Sequence, residues 1–348
     1  MRYTRLAIAI SVLALVLAAC STAPRKAAQE EAAPAQLYIL SNSSPHIAVI
    51  DTATNEVVNT ADVPDFTSWT WNDDNNYFDG VNLWLGIRDK DTNEAEVIAL
   101  NLDTLEVSER LSVGKEEKNL YIGQAGQNGI IHVGKMASAQ VVTIDTINSA
   151  VLETWDVPVG DGEGGVVCDA DVVVGSDGVE RYYYPTRKTD MLVSINAKTG
   201  EVDKIVNTPE NNTPHMLTVA HDGTVWVQEA SSNTNAVFDP VSLDLIKRFP
   251  TGKGPVVASF SADGQYGYIG HFGDTSVLVV DTKTFEEVAR VFVGNSPKML
   301  AIHPGGKYAY AIVSKEASVA VINTEFWGVT KRITLENNPT NIFLRSSP

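Results

Sequence analysis

The chain alternates between short apolar runs and polar turns, and one arrangement of runs and turns recurs along its length. In each repeat a β-branched run, such as the one from Ser276 to Val280, ends in Asp or Asn before a turn and a second strand. The anchors are Asp51, Asp103, Asp145, Asn196, Asp239, Asp281 and Asn323, spaced by 42 or 43 residues apart from two intervals of 52 and 51. A four-stranded propeller blade needs about 40–45 residues. The pattern therefore predicts seven blades, with insertions around 69–81 and 160–184.

Proline marks the start of the first strand in the later repeats. Pro214, Pro255 and Pro297 each open such a strand, and Pro339 opens a segment of the same form that no further strand follows. The N-terminal blade, which begins at Leu37, lacks its first strand. We therefore expect an all-β fold, a seven-bladed β-propeller closed by the C-terminal strand joining the N-terminal blade, because closure removes an exposed edge.

These repeats resemble those of a known family of propellers. Tyr38 to Val58, and Val293-Gly294-Asn295-Ser296-Pro297 followed by Gly306-Lys307-Tyr308-Ala309-Tyr310, are similar to the repeat and the blade junction of the YVTN family. Blade five, with Pro214-His215 and Asp222-Gly223-Thr224-Val225-Trp226, also resembles repeats of streptogramin lyases. The resemblance implies the fold. It leaves the function open, because such propellers include binding proteins, lactonase-like enzymes and haem-associated proteins.

The N-terminus has the features of a lipoprotein signal. Residues 1–19 combine a basic start with an apolar run that is shorter than the roughly 20 residues of a permanent membrane span. The sequence Leu17-Ala18-Ala19-Cys20 resembles a lipobox, which implies that Cys20 carries a diacylglycerol. Residues 20–36 are expected to be a flexible tether, and residues 37–348 a single propeller domain. Ser21 is not the Asp that commonly retains lipoproteins in the inner membrane, so we expect an outer-membrane lipoprotein that faces the periplasm or the cell surface.

Charge and cysteine usage narrow the range of partners. The net charge is −17, and removal of Arg2 and Arg5 with the signal makes it −19. Such an acidic protein is not expected to bind nucleic acid, or to contact a membrane other than through its lipid anchor. Cys168 then has no second cysteine to pair with, and we expect it to be a buried, inert thiol. A monomer is expected.

Topology predicts which loops share a face. In a four-stranded meander the loops between blades emerge beside those joining the second and third strands. The first set carries Lys118, His215 and Lys298, and the second carries Lys135, Arg187, Glu229 and His271, together with Arg88 and Lys315. Cationic side chains in a cleft favour anions. We therefore expect a non-enzymatic binding protein that takes a small anionic ligand or a partner protein at this face.

At this face we expect His215 and Lys298 to be the principal contacts of the ligand. Arg187 and Lys135 are expected on the opposite side of the funnel, the opening at the centre of the face. Binding should strengthen as the pH falls through about 6.5, the ordinary pKa of histidine. One alternative is a lyase or lactonase with His215 as acid or base and Glu229 beside a divalent metal. Another is a tetrapyrrole-handling propeller with His215 or His271 as iron ligand. The sequence identifies no cofactor.

Three weaker features could also contribute. Asp89 to Asn93 has the first half of a calcium-loop spacing without its glycine and terminal glutamate. Asp73, Asp74 and Asp79 surround the insertion in blade two. Tyr182-Tyr183-Tyr184 precedes Arg187 and could form an aromatic wall, although at least one of these alternating residues must belong to the core.

The lipid anchor is directly testable. We predict that Cys20→Ala moves the protein from the detergent phase to the aqueous phase in a partitioning experiment, because each buried CH₂ of an acyl chain contributes about 0.8 kcal/mol. Mass spectrometry of the mature N-terminus provides the control. Absence of an acyl mass on the wild-type protein would contradict the prediction.

Overall fold

A computed structural model describes residues 35–41, 46–63, 68–69, 77–89, 91–123, 128–160, 167 and 169–346. Cys20, Cys168, Asp73 and Asp74 lie outside these residues, so the predictions made for them stay predictions. The described residues form seven antiparallel sheets. No helix within them is long and apolar enough to cross a membrane.

The sheets follow one another along the chain as blades, numbered here in chain order. Blade 1 receives from the N-terminus β1 (Ala35–Ser41), β2 (His46–Asp51) and β3 (Glu56–Asp62). Blade 2 comprises β4 (Ser68–Trp69), β5 (Tyr77–Phe78), β6 (Asn82–Arg88), β7 (Glu94–Asn101) and β8 (Val107–Lys115). Blade 3 comprises β9 (Leu120–Gly123), β10 (Ile130–Lys135), β11 (Gln140–Asp145) and β12 (Ala150–Asp156). In blade 2 both β4 and β5 pair with β6, so the insertion interrupts the first strand.

The other four blades have four strands each. Blade 4 comprises β13 (Asp171–Val174), β14 (Glu180–Thr186), β15 (Met191–Asn196) and β16 (Val202–Asn207). Blade 5 comprises β17 (Pro214–Val219), β18 (Val225–Glu229), β19 (Thr234–Phe238) and β20 (Leu245–Pro250). Blade 6 comprises β21 (Pro255–Phe260), β22 (Tyr266–His271), β23 (Ser276–Asp281) and β24 (Glu287–Phe292). Blade 7 comprises β25 (Pro297–Ile302), β26 (Tyr308–Val313), β27 (Ser318–Asn323) and β28 (Gly328–Thr334).

The last strand closes the ring. β29 (Pro339–Ser346) pairs with β1 from Ala35↔Ser346 to Ser41↔Pro339, and the resulting sheet has the order β29-β1-β2-β3. The C-terminal strand is therefore the innermost strand of blade 1, as the sequence predicted. β29 also contacts β25 and β26 of blade 7, so the last and first blades pack together. The seven-bladed, closed all-β propeller is confirmed.

The core lies between the blades. Seven apolar clusters each join two neighbouring blades, and the fourth strand of each blade is largely exposed. This explains why the strands before the anchors are apolar almost throughout, since both faces of a blade are covered. Tyr182 and Tyr184 lie in the cluster between blades 3 and 4, and Tyr183 lies between blades 4 and 5. All three are fully buried, so the prediction that at least one belongs to the core is confirmed, and they form no aromatic wall beside Arg187.

Six of the seven predicted anchors accept hydrogen bonds in the turns between third and fourth strands. Asp281 is representative, because its Oδ1 accepts hydrogen bonds from the backbone N–H groups of Lys283 and Thr284 at 2.9 and 2.8 Å. In blade 2 the predicted anchor is wrong. Asn101, not Asp103, accepts the equivalent bonds, from the N–H groups of Asp103 and Thr104 at 2.9 and 3.0 Å. Asp103 instead pairs with Arg345 of β29 at 2.6 Å.

Ring closure predicts a large effect of C-terminal truncation. Deletion of residues 339–348 removes β29 and leaves β1 with an open edge, which is a template for pairing with other chains. We expect a loss comparable to the whole stability of a domain, about 5–15 kcal/mol, and aggregation. Thermal unfolding with light scattering measures both, and deletion of residues 347–348 alone is the matched control. A truncated protein that unfolds like the parent would contradict the closure.

Candidate functional site

Strand pairing places the predicted residues on one face, called the upper face below. The start of each first strand lies beside the end of the second strand of the same blade: Pro214 pairs with Glu229, Pro255 with His271, and Pro297 with Val313. His215 and Lys298 follow two of these prolines. Arg187 and Lys315 follow the second strands of blades 4 and 7. The anchor turns lie at the opposite ends of the strands, on the lower face.

Phe272 is the residue around which three of these blades meet. It follows β22 directly and is half-buried. The ring of His215 lies 5.6 Å from the Phe272 ring, centroid to centroid, and Nζ of Lys298 lies 5.2 Å from the centroid of the same ring. We call the group formed by His215, Phe272, Lys298, Arg187 and Lys315 the mouth. Sequence reasoning missed Phe272, although its position next to His271 in a predicted upper-face loop was an available signal.

An apolar plug lies next to the mouth. Tyr121 and Met136 of blade 3, Met216 of blade 5, and Val256 and Val257 of blade 6 form one buried cluster, and Phe272 packs against it. These residues come from both sides of the ring. The centre of the propeller is therefore filled on this side by apolar side chains, which lowers the polarity beneath the mouth.

His215 is buried and neutral. It is 7% exposed, and its Nδ1 is buried with no hydrogen-bond partner among the described residues. Burial, together with the positive charge of Arg187, lowers the pKa of His215 to about 3. The predicted gain of charge near pH 6.5 is therefore wrong for this histidine in the free protein. At neutral pH it offers a neutral ring that can donate or accept a hydrogen bond.

The two lysines of the mouth repel each other. Burial lowers the pKa of Lys298, and the charge of Lys315 lowers it further. Arg187 and Lys315 are exposed, whereas Lys298 is half-buried. Positive charges thus lie near both the neutral His215 and the cationic Lys298, in a protein whose net charge is −17. An anion between these groups would relieve that repulsion.

His271 is held within the protein. Its Nε2 accepts a hydrogen bond from the backbone N–H of Gly252 at 2.8 Å, and its Nδ1 donates to the carbonyl oxygen of Ser276 at 2.9 Å. Burial lowers its pKa, and the residue is fully buried. Both ring nitrogens are engaged, so this arrangement leaves neither of them for an iron or a ligand.

Glu229 is also engaged internally. Its carboxylate is fully buried and accepts bonds from Nε and Nη2 of Arg248 at 2.7 and 2.9 Å, and from Thr234 Oγ1 at 2.6 Å. This pair ties β18 to β19 and β20. A carboxylate so engaged has little capacity left for a divalent metal. Sequence reasoning did not find Arg248, which lies 19 residues away on a fourth strand.

The two remaining predicted lysines lie on blade 3. Nζ of Lys135 donates to the carbonyl oxygen of Val113 at 3.0 Å, so its buried side chain joins blade 3 to blade 2. Lys118 is exposed at the start of blade 3, and its backbone N–H donates to Glu116 at 2.8 Å. The structure brings neither into contact with the mouth residues.

The possible metal sites have structural explanations. Among the described residues, no three His, Cys, Asp or Glu side chains are placed to hold an ion together. Oδ1 of Asp89 accepts the backbone N–H groups of Asp91 and Thr92 at 2.8 and 2.9 Å, which closes a hairpin turn. Asp79 likewise accepts the N–H of Asn82 at 2.7 Å and Nε1 of Trp84 at 2.9 Å.

Burial of His215 predicts a defined dependence of stability on pH. Since its folded pKa is about 3 and its unfolded pKa is about 6.5, the unfolded chain binds a proton first as the pH falls. Stability is therefore lost from about pH 6.5 towards pH 3. His215→Gln should reduce this acid-induced loss, by up to about 3 kcal/mol, in urea titrations at pH 7 and pH 4. His221→Gln, at an exposed lower-face turn, is the control; equal losses in the wild type and both variants would contradict the assignment.

Comparisons with known proteins support the fold. No protein-family model and no curated protein sequence matches the chain. Among solved structures, a periplasmic gluconolactonase of Pseudomonas aeruginosa superimposes with a TM-score of 0.73 at 14% identity, covering 90% of this chain and all (100%) of that one. A putative 6-phosphogluconolactonase of Bacteroides fragilis gives 0.68 at 16% identity, covering 90% and 98%. Hydrazine synthase of Kuenenia stuttgartiensis gives 0.62 at 16% identity, covering 81% and 91%. The chain is thus a seven-bladed β-propeller similar to lactonase-like propellers.

Proposed function

We propose that this protein is a membrane-anchored binding protein that recognises a small anionic molecule at the mouth. The observation that carries the proposal is the packing of Lys298 and His215 about one half-buried aromatic ring, with Lys315 and Arg187 adding like charge. Charged groups held close to others of the same sign in a partly buried position favour an opposite charge from a ligand.

The electrostatics of the mouth strengthen this argument. Burial lowers the pKa of Lys298, and the positive charge of Lys315 lowers it further. An acidic protein that places lysines beside each other has a local potential opposite in sign to its net charge, and such a patch attracts anions.

The anchor complements this arrangement. We propose that acylated Cys20 tethers the protein to the outer membrane, facing the periplasm or the cell surface. The described chain enters the propeller at Ala35, whose carbonyl oxygen accepts a hydrogen bond from Thr52 in a lower-face turn at 3.0 Å. Ala35, the first described residue, therefore lies at the face opposite the mouth.

A lactonase is the second candidate, favoured by the similarity to proteins described as gluconolactonases. His215 would then be the acid or base. Its lowered pKa makes it a weak base, and Glu229 is committed to Arg248. We therefore favour binding without catalysis. Hydrolysis of glucono-δ-lactone that is lost in His215→Gln would favour the enzyme instead.

A thermal-shift experiment tests anion binding at the mouth. The probes are inorganic phosphate, citrate, gluconate and benzoate, since a ligand that binds the folded state raises the melting temperature by mass action. We expect at least one probe to bind, and Lys298→Gln or Arg187→Gln to weaken it about tenfold, because each removes a charge-assisted contact.

Lys283→Gln is the matched control, since Lys283 is exposed on a lower-face turn. The affinity of the Lys283→Gln variant for each probe should equal that of the wild type. The proposal fails if no probe binds, or if Lys298→Gln and Arg187→Gln bind every probe as tightly as the control does.

A further inference from the structure

The mouth has two ends, one on the blade 5 side of Phe272 and one on the blade 7 side. At the first end Arg187 follows β14, and its charge acts on His215, whose ring lies 5.6 Å from the Phe272 ring. At the second end Lys315 follows β26 closely, and its charge acts on Lys298, whose Nζ lies 5.2 Å from the centroid of the same ring. Two cationic positions, on blades that are not neighbours, therefore flank one aromatic ring.

The exposed cations of the two ends are Arg187 and Lys315. Among the described residues, no ion pair joins either of them to an acidic side chain. In a protein whose net charge is −17, two such cations on one face are open to an anion from solution. Residues of blades 5 and 6 lie between the two, so a single acidic group is placed to neutralise one of them at a time.

Each end also has a buried hydrogen-bonding atom that is not satisfied. Nδ1 of His215 at the first end and Oγ of Ser314 at the second end have no hydrogen-bond partner among the described residues. Ser314 directly precedes Lys315, is 9% exposed, and donates its backbone N–H to the carbonyl oxygen of Ser296 at 3.3 Å. A buried atom of this kind destabilises the folded protein unless a ligand or an ordered water satisfies it. Each end thus combines one cation with one unused hydrogen-bonding group.

We propose that the ligand of the mouth is a short dicarboxylate, whose two acidic groups lie at Arg187 and at Lys315. This inference rests on the proposed function and specifies its ligand class. Ordered water joins the carboxylates to the buried atoms, Nδ1 of His215 at one end and Oγ of Ser314 at the other.

Phe272 and Lys298 have a different part in this site. Both have further partners within the protein, so the proposal does not require either of them to be available to the ligand. Their contact separates the two ends of the mouth, and Lys298 adds its charge to the end that holds Lys315.

Two separate cations explain why a dianion is preferred. One carboxylate neutralises only one end and leaves the positive charge at the other end without a partner. Linking two carboxylates makes the second contact intramolecular, which raises the affinity without any new kind of contact. The gain depends on the spacer, because a chain too short to reach both ends engages only one of them. The advantage of a dicarboxylate should therefore pass through a maximum as its chain is lengthened.

Isothermal titration calorimetry on the wild-type protein tests the inference without any variant. The probes are the straight-chain dicarboxylates from succinate to sebacate, each compared with the monocarboxylate that has the same number of carbons. We expect the dicarboxylate of one pair to bind at least about tenfold more tightly than its monocarboxylate, and this ratio to be smaller for shorter and for longer chains. A ratio near one in every pair, or a ratio that is the same at every chain length, would overturn the proposal.

Two variants locate the ends of the ligand. Arg187→Gln and Lys315→Gln should each weaken the best dicarboxylate about tenfold, because each removes one charge-assisted contact. A monocarboxylate needs only one of the two cations, so at least one of these variants should keep its affinity for the matching monocarboxylate within about twofold of the wild type.

Lys118→Gln is the matched control, because Lys118 is an exposed cation that precedes β9 of blade 3 on the same face. Its affinity for the best dicarboxylate should equal that of the wild type, and a loss as large as those of the two mouth variants would overturn the proposal. If no carboxylate binds the wild type, the proposed function itself fails; if the two members of every pair bind equally, anion binding stands and only the ligand class is wrong.

Discussion

Pairing of β29 with β1 joins the two ends of the chain in one sheet, and the positions of all other blades depend on it. Each blade buries apolar side chains against both of its neighbours, so a ring that stayed open would expose one face of its first and last blades. His215, Phe272 and Lys298, from blades 5, 6 and 7, thereby meet at the mouth, although His215 and Lys298 lie 83 positions apart in the sequence.

Closure creates a centre that the inner strands must fill. The plug of Met216, Val256 and their neighbours fills it with apolar side chains. This has an electrostatic consequence, because a charge above an apolar region is less well solvated than one at a polar surface. The lowered pKa values of His215 and Lys298 reflect this burial first and the neighbouring cations second. The fold thus places three cationic side chains, those of Arg187, Lys298 and Lys315, on one face of a strongly acidic protein.

Fold and faces followed from the sequence, whereas side-chain contacts did not. The repeat of apolar runs and Asx turns predicts blades and ring closure, since both depend on local pattern. It also predicts which loops share a face. It does not tell whether a side chain points to the axis or to a neighbouring blade. The pattern therefore predicts Lys135 and Glu229 as ligand-binding residues of the upper face, although both bind within the protein. Their partners are a backbone carbonyl of blade 2 and Arg248 on a fourth strand, contacts made only after folding.

The difference between His215 and His271 has the same origin. Both lie on predicted upper-face loops, yet one packs on Phe272 and the other bonds to Gly252 and Ser276. Crystals soaked in sodium bromide test the central claim most directly, because bromide gives an anomalous signal that needs no prior assumption about where an anion binds. We expect a peak at the mouth, beside Lys298. Peaks confined to other parts of the propeller, with none at the mouth, would contradict the proposed anion site.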